Sequence, residues 1–492
     1  MNFNSHAGFA TLALPGPPAS KFRAHVAASY RSACCALCCL LLAGCTPIKM
    51  IRTEPPTSFV RESDSHALPE PDPQSDVFLK CETGRAKSGE NLGMLENYGD
   101  YLIGYAEFDD QGWAYDNDRQ IDALQQRLSA ELNDPTQSET DFLVMVFIHG
   151  WHHNARDNDC NVQEFRQMVR IASAKTKEAI QHHQLVRPRR VIGVYVGWRG
   201  ESVNAWLLRY TTVIDRRDSA ERVAKGSVRK LLADIHDAQL DAQMKGAHGR
   251  PDKMRTVVIG HSFGGLIAFA ALSQGLLNDF TRLDLDRPHP CNAAEAQTLS
   301  DKQSPVWPDG LVLINPAFEA TRFEPLHRLM ARRVPCTPDG GVKPQRLVVP
   351  NVLVVTADND HWTGGAFTAG RAVSTLFEGY DRTNATATAN ERTANLHAVG
   401  FTPPYETHEL TLPSNDPLTI PVAVPLPAHG GTPNTDSPIW VIRAPPSIIE
   451  GHSGFLYARP HGAGKPTPYL ANWLMALYAK DCAAAPQMTG CQ

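Results

Sequence analysis

The chain is short of the features that mark several protein classes. It has no excess of one charge sign: 47 Lys and Arg stand against 52 Asp and Glu, a net of -5. A nucleic-acid binder would carry a basic patch, so no nucleic-acid partner is expected. Long apolar runs are also missing. The run Ala33–Gly44 (ACCALCCLLLAG) is 12 residues, against the ~20 that a spanning helix requires. Beyond that run there is no CxxC pair and no Cys/His spacing of the zinc type. Neither a metal nor another cofactor is therefore expected. No internal repeat is present, which sets aside solenoid architectures.

What is present reads as a globular enzyme. Hydrophobic residues are 42% and charged residues 20% of 492, a folded balance. The 35 Gly and 37 Pro point to long irregular loops.

The N-terminus reads as an address. Lys21, Arg23 and Arg31 precede the apolar run, the pattern of a secretory signal over residues 1–44. The run ends in Leu42-Ala43-Gly44-Cys45, which resembles a bacterial lipobox. The resemblance implies lipidation of Cys45 and, with Thr46 following, an outer-membrane anchor. Residues 45–95 then form a tether rich in proline, from Pro47 to Pro73, extended at ~3.1 Å per residue. Six cysteines follow the signal: Cys81, Cys160, Cys291, Cys336, Cys482 and Cys491. Disulfides in an oxidising compartment suit them, Cys482 with Cys491 being one local pair, and scattered thiols are the alternative.

The body, residues 96–481, alternates strand and helix ahead of a tail at 482–492. Apolar, β-branched runs predict strands at Phe142–Ile148, Val191–Val196, Thr256–Ile259, Leu311–Ile314, Asn351–Val355 and Ile439–Ile442. Continuous apolar strands are buried on both faces, as in a parallel sheet covered by helices. Helical stripes run through Ile121, Leu124, Leu128 and Leu132, through Val162, Phe165, Val169 and Ala172, and through Val228, Leu231, Leu232 and Ile235. Tyr101–Tyr115 reads as a hairpin turning at Asp110-Gln111-Gly112, with Glu107, Asp109 and Asp110 as solvated carboxylates. Two stretches, 278–309 and 363–438, read as insertions, the second lid-like and mobile around Arg382–Asn395. The fold class is α/β, a mostly parallel central sheet with helices on both faces.

The chemistry concentrates in Gly260-His261-Ser262-Phe263-Gly264. A bare GxSxG is weak, but here a buried strand enters it and an apolar helix leaves it. Small residues are needed on both sides because the turn is sharp. Ser262 is thereby presented at a helix N-terminus, where an oxyanion is favoured. This arrangement resembles the α/β-hydrolase superfamily, most closely bacterial esterase/lipase-like proteins with an HG turn after an early strand. Matching residues are Phe147-Ile148-His149-Gly150-Trp151, Val196-Gly197-Trp198-Arg199 and Gly260 to Gly265. The resemblance implies oxyanion donors at the backbone N–H groups of Phe263 and Trp151.

A serine hydroxyl needs a base, and the base a carboxylate. In this fold the order is Ser, acid, His. Strand 351–355 runs into Asp358-Asn359-Asp360, two competing carboxylates, of which the family pattern favours Asp360. After strand 439–442, Gly451-His452-Ser453-Gly454 supplies the base, followed by a closing helix near Tyr469–Leu474. His149, His152 and Trp198 are candidates to line the substrate pocket; no metal is assigned to the HxxHH cluster. The reading is a serine hydrolase of carboxylic esters, with a small-molecule or lipid ester as partner. A thioesterase, acyltransferase or peptidase would use the same triad. A non-catalytic envelope lipoprotein is the alternative from another class.

Overall fold

A computed structural model describes residues 49–55, 92–200, 213–244, 253–282, 306–331, 349–380, 383–426, 437–458 and 467–479. The signal run, Cys45, most of the proline-rich tether, Cys81, Cys291, Cys336 and the tail with Cys482 and Cys491 lie outside these residues. Cys160, the one cysteine among them, is disulfide-bonded.

Ten strands form one sheet: β1 (Leu95–Asn97), β2 (Tyr101–Phe108), β3 (Asp141–Ile148), β4 (Arg189–Trp198), β5 (Met254–His261), β6 (Gly310–Ile314), β7 (Val352–Ala357), β8 (His408–Thr411), β9 (Val422–Pro425) and β10 (Ile439–Ala444). Their order is β1-β2-β4-β3-β5-β6-β7-β10-β8-β9. Among the described residues, only β1 on β2 and β9 on β8 pair antiparallel. All six predicted strands are present, and their unbroken burial follows from helices on both faces.

Alternate side chains divide the sheet into two cores. Phe142, Val144, Val146 and Ile148 of β3 face one core. There they meet α1 (Arg119–Leu132), α3 (Val213–Lys225), α4 (Val228–Met244) and α5 (Phe263–Arg282). Leu143, Met145 and Phe147 face the other, with α2 (Cys160–Gln181) and α9 (Tyr469–Tyr478). This is the period-2 geometry of a strand working on two layers at once. The apolar stripes expected for α1, α2 and α4 are buried except at Leu132, which is partly buried against the same core.

Three expectations need correction. The hairpin expected over 101–115 does turn at Asp110-Gln111-Gly112, but its return arm is short. Tyr101–Phe108 pairs antiparallel with β1 and parallel with β4, and only the bridge Phe108–Ala114 follows the turn. Glu107 is not solvated either. It is 4% exposed and accepts from the N–H groups of Ile51 and Arg52 and from Gln120 Nε2; burial pushes its carboxyl up. Asp110 pairs with Arg199 and Arg216.

The insertions are the third correction. Residues 278–282 continue α5, and 283–305 lie outside the described residues. Much of 363–438 is ordered structure. It holds a π-helical turn (Trp362–Ala366), α7 (Phe367–Ser374), α8 (Ala385–Leu396), β8 and β9; α6 is the earlier short helix Glu324–Ala331. The Thr/Ala tract forms α8 because Asn384 caps it, its Oδ1 accepting from Thr386 and Ala387 N–H.

A charged strap closes one side of the domain. Arg52, fully buried, donates from Nη1 to Glu96 Oε1 at 2.9 Å and from Nε to the Ala155 carbonyl at 2.7 Å. Arg166 donates from Nε to Glu96 Oε2 at 3.0 Å and also meets Asp157. Burial alone would raise the Glu96 carboxyl, but Arg166 and Arg52 hold it down at about 2.

Candidate active site

The carboxyl ends of β5, β7 and β10 carry the three predicted residues in chain order. β5 is central, between β3 and β6, and β7 and β10 are neighbours, so three distant segments finish at one rim.

Ser262 follows β5 directly and starts the turn into α5. Its φ is 56°, a region that costs a non-glycine residue on the order of 1–3 kcal/mol. Ser262 N–H donates to Ile314 O at 3.0 Å and its carbonyl accepts from Ala317 N–H at 3.1 Å, so β6 holds the strained turn. A Cβ on Gly260 would stand 2.6 Å from Gly264 O, and one on Gly264 would collide with the Ile148 carbonyl. The flanking glycines are thus imposed by backbone contact.

His452 Nε2 lies 2.9 Å from Ser262 Oγ, and His452 Nδ1 lies 2.8 Å from Asp360 Oδ2. Asp360 Oδ1 accepts from Trp362 N–H (2.9 Å) and Thr363 N–H (3.2 Å), while Thr363 Oγ1 donates to Oδ2. Burial would raise this carboxyl, but the bond and charge of His452, with the Thr363 donors, hold it below the usual carboxylate value. An ionised Asp360 accepts at Nδ1–H and leaves Nε2 as the free lone pair toward Ser262. Asp358, the competing carboxylate, instead accepts from Arg443 Nε at 2.8 Å.

The two residues expected to flank an oxyanion are brought to the same place. Phe263 is the first residue of α5, where an N–H has no acceptor within the helix. Trp151 follows Gly150, whose Cα sits so near Ser262 that an added Cβ would lie 3.0 Å from Ser262 Cβ. The Trp151 ring is 6.4 Å from Phe263 and meets Trp362 edge-on at 6.2 Å.

The pocket candidates divide. His152 stacks on Trp151 at 3.9 Å beside the site. His149 and Trp198 do not face an open pocket: both are buried and stack on each other at 5.6 Å. Trp198 N–H donates to His149 Nε2 and Trp198 Nε1 to the His149 carbonyl, each at 2.9 Å. His149 Nδ1 then donates to Gly150 O at 2.8 Å. Burial pulls His149 down to about 4, so it is neutral and serves as a peg between β4 and the loop bearing Trp151. His153 likewise meets Asp159, the cap of α2, at 3.1 Å.

Two site-adjacent residues escaped the sequence reading. Asn315, just past β6, and His261, inside the elbow, both reach the loop of His452. Strand-end position was the available signal, since residues at the carboxyl rim of such a sheet are those that can meet.

No family model matches the chain, and no characterised protein matches it by sequence. Two solved structures are similar in part: phospholipase PlaB from Legionella pneumophila, and the same phospholipase in complex with thio-NAD. They are 14% and 15% identical, with a TM-score of 0.22 each, and cover 58% of this chain. The chain spans about half the length of those neighbours, 51% and 50%.

Proposed function

We propose that the chain is a serine hydrolase cleaving carboxylic esters with an apolar acyl part. The observation that carries this is the unbroken relay Ser262 Oγ, His452 Nε2, His452 Nδ1, Asp360 Oδ2, at 2.9 and 2.8 Å. The first is within reach of the proton to be moved, and the second orients the imidazole and balances its charge.

In the proposed reaction His452 Nε2 takes the Ser262 proton as Oγ bonds to the carbonyl carbon. The carbonyl π pair moves to oxygen, where the N–H groups of Phe263 and Trp151 would hold it. One such donor is worth ~10²–10³ in turnover. The pair returns as the ester C–O bond breaks, and His452 gives its proton to the departing alkoxide. Water, deprotonated by His452, then attacks the acyl carbon; the C–Oγ bond breaks, the acid leaves and His452 returns the proton to Ser262 Oγ.

Surface chemistry supports an apolar substrate. Trp151, Phe263 and Trp362 gather beside Ser262. The segment that leaves Asp360 continues into exposed Val373, Leu376 and Phe377, the last 100% exposed. For location we infer lipid anchoring at Cys45 and an outer-membrane site; the signal pattern and the disulfide at Cys160 support an oxidising compartment.

Fluorophosphonate labelling and turnover of short-chain nitrophenyl esters test the reading. Wild type should label and turn over, and Ser262→Ala should do neither. Equal labelling of the two proteins would remove Ser262 as nucleophile. Labelling without any ester turnover would favour a thioesterase or transferase.

A further inference from the structure

We infer that Asn315, assisted by His261, is a positioning residue that locks the main chain of His452 in register with Ser262 and Asp360; this rests on the proposed hydrolase reading. The triad's own hydrogen bonds fix the imidazole ring. They do not fix the backbone from which it hangs, and that backbone follows Gly451, whose φ is 66°.

Asn315 supplies what is missing. It is fully buried and uses its whole amide. Nδ2 donates to His452 O at 2.8 Å and to Gly451 O at 3.1 Å. Oδ1 accepts from Ala357 N–H at 2.8 Å, three residues before Asp360. One side chain therefore ties the end of the acid-bearing strand to the base-bearing loop. Its own backbone sits at φ 44°, with its N–H donating to Val355 O at 2.9 Å. A buried residue held in that region is over-determined by its surroundings.

His261 adds a second donor from the nucleophile's side. Its Nε2 meets the same His452 carbonyl at 2.9 Å. A carbonyl can only accept, so Nε2 carries the hydrogen. Burial and the neighbouring His452 push His261 well below the usual imidazole range, so the ring is neutral. The ring also packs on Phe455 at 4.8 Å. Asn359 completes the set by accepting Gly451 N–H at 2.8 Å. The carbonyl of the base thus has two donors, one from the end of β5 in the elbow and one from just past the neighbouring β6. None of these groups reaches the hydroxyl of Ser262, so the effect is on placement. A misplacement of about 1 Å can cost on the order of 10²-fold in rate.

The experiment compares Asn315→Ala, His261→Gln, which keeps an N–H donor, and His261→Phe, which does not. For each, kcat and KM on a nitrophenyl ester are measured. So are the rate and final stoichiometry of fluorophosphonate labelling. Asn315→Ala should lower kcat by roughly 10- to 100-fold with KM within about threefold. Labelling should be slower by the same factor yet still reach about one phosphonate per chain. His261→Phe should lose about tenfold and His261→Gln should recover most of it. A merely structural role would lower the labelled fraction and leave the rate per labelled site unchanged. That result, or wild-type kcat in both Asn315→Ala and His261→Phe, overturns the inference. If Asn315→Ala is not recovered folded, the His261 pair decides alone. Turnover surviving in Ser262→Ala would instead overturn the hydrolase reading beneath it.

Discussion

His452 Nε2 stands 2.9 Å from Ser262 Oγ although 190 residues separate the two in sequence. The sheet achieves this by ending β5 and β10 at one rim with β6 and β7 between them. A contact of such separation is made only in the folded state, so activity should report on the integrity of the whole sheet.

The acid assignment gives the first test. Asp360→Asn should reduce kcat/KM on the order of 10³- to 10⁴-fold, because the imidazole loses its tautomer and its counter-charge. Asp358→Asn, which loses only a partly exposed pairing with Arg443, should stay within about twofold. Steady-state kinetics on a nitrophenyl ester distinguishes them, and reversed losses would exchange the two roles.

The crowding around Gly150 gives the second. In Gly150→Ala the new methyl would lie 3.0 Å from Ser262 Cβ and 3.1 Å from His261 Nδ1. The His261 carbonyl lies 3.2 Å away as well, so Ser262 and His261 must shift by a few tenths of an ångström, and a folded protein with turnover reduced about tenfold or more is expected. Gly264→Ala meets backbone carbonyls of Ile148 and His149 instead and should fail to fold. Circular dichroism with kinetics checks both variants.

The charged strap makes a pH-dependent prediction. The Glu96 carboxyl sits at about 2, below its ordinary 4.5. Its contribution to stability is therefore complete above pH 4.5 and is lost as pH falls through about 2. Glu96→Gln should cost about 3–5 kcal/mol at neutral pH, since two buried guanidinium groups lose a shared partner. The gap to wild type should narrow toward pH 2 in urea titrations. A constant gap at every pH would contradict the linkage.

The exposed apolar segment after the acid predicts substrate selectivity. Leu376→Ser with Phe377→Asp should leave the melting temperature nearly unchanged, both side chains being exposed. Turnover of long-chain esters should fall by at least about threefold relative to short-chain ones. An unchanged acyl-length profile would remove this surface from substrate recognition.

Much of this was legible in the residues. Phe142–Ile148 and Val191–Val196 are apolar without alternation, and such runs have few destinations other than a covered parallel sheet. Gly260-x-Ser262-x-Gly264 between a strand and an apolar helix pointed to Ser262, and chain order to Asp360 and His452, whose side chains lie within hydrogen-bond distance of one another in series. Long-range polar pairing was not legible. Glu107 looked like a surface carboxylate because its partners, Ile51, Arg52 and Gln120, lie up to 56 residues away. His149 and Trp198 looked like pocket walls because adjacency to the HG turn says nothing of which way a ring faces. β8 and β9 were hidden because strands of four residues beside prolines carry little periodicity. Asn384 went unread as a helix cap, which turned α8 into an apparent loop.

The strap at Arg52 also defines how far the N-terminal residues can be trimmed. Ile51 and Arg52 satisfy Glu107, and Arg52 satisfies Glu96 and the Ala155 carbonyl. A recombinant version begun at residue 92 would keep every strand and all three members of the proposed relay. It would also bury Glu96 and Glu107 with part of their partners deleted. The shortest soluble version worth making therefore starts upstream of Ile51, whatever becomes of the proline-rich residues that follow.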